Sequence, residues 1–146
     1  LATFYILEYR TLYTQVRLCD YYALDSFQAV VSFSPKIAQE IRDAVRKCTS
    51  DTRGYDYDKV LKMIREGEYE NDPIFHVLIH CIYKEAGYIY DDGTVKVERA
   101  SEIFPDQDFM YRLFTECNKE KENNPVKTSY KIYKCFQKRT IFRAGL

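Results

Sequence analysis

The sequence has no tryptophan, and its 146 residues include only five glycines, four prolines, two methionines and two histidines. So few chain breakers exclude collagen-like and low-complexity chains, and a hydrophobic content of 46% excludes a disordered one. Net charge is also missing. The 22 Lys+Arg balance 22 Asp+Glu, so no net field draws the chain to nucleic acid or to an anionic membrane. No apolar run approaches the roughly 20 residues a membrane helix needs. There is no Cys-x-x-Cys, no glycine-rich phosphate loop and no Gly-x-Ser-x-Gly elbow. These absences predict one domain with one core, no enzyme activity, no cofactor, no nucleic-acid partner and no membrane insertion. The chain opens at Leu1 with "LATFYILEYR", which lacks the basic start and small-residue exit of a signal peptide. It reads as a processed or trimmed product whose targeting signal is not in view.

What is present is helix punctuation. Ser34-Pro35, Asp72-Pro73 and Asn124-Pro125 each place a capping side chain before a proline suited to a first helical turn. After Ser34, the residues Ile37, Ile41, Ala44, Val45 and Cys48 make one apolar stripe. Val60, Leu61 and Ile64 mark a second helix that stops at Gly67, and the segment from Asp72 ends at Gly87. Asp92-Gly93 signals a turn, followed by a short helix in "VKVERASEIF". A further helix is expected over 106–121, with Phe109, Met110, Leu113, Phe114 and Cys117 inward. No convincing strand pair is visible, so the predicted class is all-α, with about six short helices. Residues 1–33 differ in texture. They hold no glycine or proline and are rich in Phe and Tyr, which suggests a helical N-terminal extension, an added packing unit of one helix or two, ahead of a domain over 34–146.

Five cysteines remain to be explained: Cys19, Cys48, Cys81, Cys117 and Cys135. The last four sit late in predicted helices or at matching depths along them. They suit staples between helices, with free buried thiols as the alternative. Their spacing, with the runs "MIREGEYENDPIFHVLIHC", "AGYIYDDGTV" and "YKCFQKR", resembles the insect odorant-binding proteins of the general pheromone- and odorant-binding family. The resemblance covers about residues 34 to 137. That family usually has six cysteines, with three residues between the second and third and eight between the fifth and sixth. With Cys48 as first, Cys81 as third, Cys117 as fourth and Cys135 as sixth, the second falls on Val77 and the fifth on Val126. Both partners of one bridge are therefore replaced by valine, the family's "C-minus" pattern. The resemblance implies bridges Cys48–Cys81 and Cys117–Cys135. It also implies that the two valines pack where sulfurs would have been. Cys19 has no family counterpart and is either a free thiol or a link to a second chain in a homodimer.

His76 and His80 share a helix face, a spacing that zinc can use. A metalloprotease would place Glu after the first histidine, where this chain has Val77, and no third ligand is evident. The pair reads as half-exposed histidines at the border of the stripe, and no metal is expected. The resemblance implies helices around an apolar cavity in a secreted, extracellular carrier. Its partner would be a small hydrophobic molecule, such as an odorant, pheromone or fatty acid. The inward stripes supply the candidate ligand-binding residues Ile64, Leu78, Ile82, Met110, Leu113 and Phe114. Tyr130, Tyr133 and Phe136 of the last helix add aromatic walls. The same residues serve equally well as a filled core. A second reading is a salivary-type scavenger of biogenic amines or lipid mediators. Its aromatic faces and carboxylates would come from Tyr5, Tyr9, Tyr13, Tyr21 and Tyr22 with Glu8, Asp20 and Asp25. A third is a protein-binding helical module that uses the aromatic N-terminal segment.

Overall fold

The computed structural model describes residues 28–139 and 141–145. Six α-helices make up its body: α1 (Pro35–Thr49), α2 (Tyr57–Glu66), α3 (Pro73–Glu85), α4 (Val97–Glu102), α5 (Gln107–Cys117) and α6 (Pro125–Arg139). A single 3₁₀ turn, Asn118–Glu120, follows α5. The class is the expected all-α. All three cap-proline starts begin helices. Ser34 accepts from the Ile37 amide, Asp72 from Ile74 at 2.9 Å and Asn124 from Lys127 at 3.0 Å. At the far end of α2, Gly67 takes the left-handed conformation, and its amide bonds back to Ile64.

Helix α3 is the axis. Phe75, Ile79 and Ile82 are fully buried, and Leu78 almost so. One flank of α3 is stapled to α1 by Cys48–Cys81 (Cα separation 5.9 Å) and reinforced by an ion pair between Lys47 and Glu85. The second disulfide, Cys117–Cys135, joins α5 to α6 with Cα atoms 5.7 Å apart. Both pairings are those the resemblance implied. The valines at the remaining two cysteine positions behave otherwise than expected. Val77 is 54% exposed and Val126 is partly exposed, so neither is packed into the core. Where α3 meets α6, the contacts are made by other side chains. His76 stacks on Tyr130 with centroids 3.6 Å apart, and His80 Nδ1 lies 2.8 Å from Ser129 Oγ.

The Asp92-Gly93 turn links Ile89 and Val95, which form an isolated antiparallel bridge. Thr94 donates its amide and hydroxyl to Asp92 at 2.9 and 2.6 Å, which, with Lys121 alongside, holds the carboxyl down at about 2. Asn118 ties this hairpin to the end of α5 through both polar atoms of the Val95 backbone.

One element departs from the sequence expectation. Residues Gln28–Ser32, assigned to a helical extension, form a strand β1. It pairs in parallel with β2 (Ile141–Gly145), Gln28 opposite Ile141 and Ser32 opposite Gly145. Parallel partners need a long crossover, and here the six helices supply it. The rest of the expected extension, residues 1–27 with Cys19, lies outside the described residues. No helix among the described residues is long and apolar enough to cross a membrane.

Candidate ligand-binding site

The six helices surround a partly open cavity of about 110 Å³. Every helix contributes to its wall, because each has an apolar edge turned towards the same space. Ile41 comes from α1, Ile64 from α2, Tyr83 from α3, Ala100 from α4 and Phe114 from α5. The last helix contributes most, with Ser129, Ile132, Tyr133, Phe136 and Gln137. The Ile89–Val95 hairpin, with Gly93 at its turn, closes one side.

Aromatic rings define one end. Phe114 and Phe136 stack at 5.5 Å, and Phe104 meets both at 6.0 and 6.1 Å. Phe33, just before α1, approaches Phe104 edge-on at 5.9 Å. Such offset and edge contacts add to area burial and give the wall a fixed shape. Cys117 and Cys135 lie close in sequence to the stacked rings, so the disulfide between their helices holds Phe114 and Phe136 in register. At the other end, Tyr133 donates its hydroxyl to the Glu68 carbonyl at 2.8 Å, which anchors α6 to the loop after α2.

The polar groups of the wall are few. Ser129 is committed to its own helix through the Pro125 carbonyl and to His80. No carboxylate hydrogen-bonds to His80 among the described residues, so this pair lacks the orienting third group of a hydrolase triad and works as a strap between α3 and α6. Burial holds both His76 and His80 below the usual histidine range. Asp72 and Lys134 act in opposite senses on the first, Asp91 and Lys84 on the second. Among the described residues, no three His, Cys, Asp or Glu side chains gather as a metal site.

Four of the nine residues named from sequence line the cavity: Ile64, Phe114, Tyr133 and Phe136. The other five are buried elsewhere. Leu78, Ile82, Met110 and Leu113 fill the core between helices, and Tyr130 stacks on His76. The reading missed Tyr83, Phe104, Ile132 and Gln137. Tyr83 is adjacent to Ile82 and about a quarter-turn round α3, so the stripe that marks the core does not mark the wall.

The sequence profile described as the PBP/GOBP family matches residues 31–139. The B2 protein of Tenebrio molitor is 22% identical over 114 residues, spanning 75% of this chain and 87% of the relative. The B1 protein of the same beetle is 23% identical over 75% of this chain and 85% of its own length. A crystal structure of an odorant binding protein of Locusta migratoria superposes with a TM-score of 0.59 at 23% identity. It covers 75% of this chain and 85% of the locust chain, and at that identity it speaks for the fold.

Proposed function

Because the chain belongs to the PBP/GOBP family, we propose that it is a secreted carrier that takes up a small hydrophobic molecule in its central cavity and releases it unchanged. The observation that carries this reading is the cavity: a partly open space walled by all six helices with apolar and aromatic side chains. A carrier needs such a concave apolar site with a few polar groups for orientation. The two disulfides suit an oxidising, extracellular setting. The volume narrows the ligand. An apolar cavity of roughly 150 Å³ takes benzene, so about 110 Å³ suits a ring or a chain of about six carbons. A long fatty acid exceeds it. No described carboxylate lines the cavity, so nothing there favours an amine, and the tyrosines and acids of the scavenger reading lie within residues 1–27.

The test is displacement of a fluorescent hydrophobic probe by volatile six- to eight-carbon compounds. Binding of the probe, its displacement by these compounds and its loss in Ala100→Leu, which fills the space from α4, are the expected results. If no such compound displaces the probe and Ala100→Leu binds it unchanged, the cavity is not the site.

A further inference from the structure

Two residues that line the cavity carry side-chain polar atoms with no hydrogen-bond partner among the described residues. Gln137 Oε1 is buried without a hydrogen bond. Tyr83 of α3 also lines the cavity; the residue is half-buried, its hydroxyl bonds to no described residue, and burial holds its pKa above the ordinary tyrosine range. Buried polar groups are almost always paired, and an unpaired one is costly. Together the two residues supply a donor from α3 and an acceptor from α6. The wall also has a conspicuous omission, since no charged side chain among the described residues lines the cavity. A carboxylate or an ammonium would enter with no counter-charge and pay its full desolvation cost.

We propose that the cavity selects neutral, hydroxyl-bearing ligands of about six to eight heavy atoms, with Tyr83 donating to the ligand oxygen and Gln137 accepting its proton. The inference rests on the carrier reading. A hydroxyl suits the site because it gives and takes at once, and it satisfies Gln137 whichever way the amide is turned. An aldehyde or ketone accepts from Tyr83 but leaves Gln137 Oε1 unpaired. A carboxylate accepts from Tyr83 and is repelled by the same atom.

The experiment is an NMR titration of the full chain with 1-hexanol, hexanal and hexanoate at neutral pH, where hexanoate is charged. The alcohol should bind about two- to tenfold tighter than the aldehyde, the worth of one hydrogen bond. Hexanoate should bind at least about a hundredfold more weakly than the alcohol. Gln137→Leu should weaken 1-hexanol and leave hexanal unchanged, whereas Tyr83→Phe should weaken both. Hexanal or hexanoate binding as tightly as 1-hexanol in the native chain would overturn the inference and leave the carrier reading standing, a result that needs no variant to fold. Gln137→Leu weakening alcohol and aldehyde alike would also overturn it. Failure of all three compounds, together with failure of the fluorescent probe, would remove the carrier reading and this inference with it.

Discussion

Gly93 shows how much one residue can settle. Its φ is +89°, and a Cβ built there would lie 2.2 Å from the Pro125 carbonyl oxygen at the start of α6. Glycine is therefore required twice, by conformation and by close approach. Gly54 has the same left-handed backbone (φ +83°) but nothing within 4 Å of a Cβ. Gly54→Ala should cost only the backbone strain, about 1–2 kcal/mol. Gly93→Ala adds an overlap with fixed backbone, worth roughly another 1–3 kcal/mol, and should push α6 away from the hairpin. Urea unfolding of the two variants measures the difference, and equal losses would contradict the close approach. The turn at Asp92-Gly93 was legible in the sequence because turn chemistry is local. That the turn touches the first residue of α6 was not, because more than thirty positions of chain lie between them.

Among the elements, the α3–α6 seam stands apart. It has no covalent link; its contacts include the His76–Tyr130 stack, the His80–Ser129 bond and the rings of Phe75 and Tyr83 against Tyr133. His76 Nε2 and the Tyr130 hydroxyl are both buried there without partners. Burial lowers both histidine pKa values in the folded protein relative to about 6.5 in the unfolded chain. Between the lowered folded values and 6.5 the unfolded state binds more protons, so stability rises with pH across that window. It is fully present above 6.5 and lost as acid drives protons into the seam. Thermal unfolding between pH 8 and pH 5 should show the melting temperature falling on the acid side. The double variant His76→Phe with His80→Asn should flatten that part of the curve, and an unchanged slope would assign the acid sensitivity elsewhere. The helices on either side of the seam were legible from their cap-proline starts and stripes, which are short-range signals. The wall of the cavity was not. The stripe centres, Leu78 and Ile82, fill the core. Tyr83, Phe136 and Gln137 stand at stripe edges and are half-buried. The parallel pairing of Gln28–Ser32 with Ile141–Gly145 was equally hidden, since a two-stranded ribbon joining distant segments carries no local period.

For the whole molecule, the two disulfides are the main covalent restraint. They close loops with sequence separations of 33 and 18. In the chain-entropy model each contributes about 3–4 kcal/mol, a large share of the roughly 5–15 kcal/mol typical of a folded domain. Cys48→Ser with Cys81→Ser should lower unfolding free energy by about that amount, and denaturant titration with and without reductant checks it. A change below about 1 kcal/mol would mean that packing around α3 already does the work of the staple.

The placement of those bonds also bears on rates. One fastens α1 to α3 and the other α5 to α6, so the body consists of two riveted leaves that meet along an unriveted edge. Tyr83 belongs to one leaf and Gln137 to the other, on opposite sides of that edge. Parting the leaves would break the contacts of the edge and leave those within each leaf intact. Ser129, Tyr83 and Tyr133 belong to both wall and edge, since they line the cavity and also meet across the edge, so how long a guest stays and how tightly it is held are tied together through these residues.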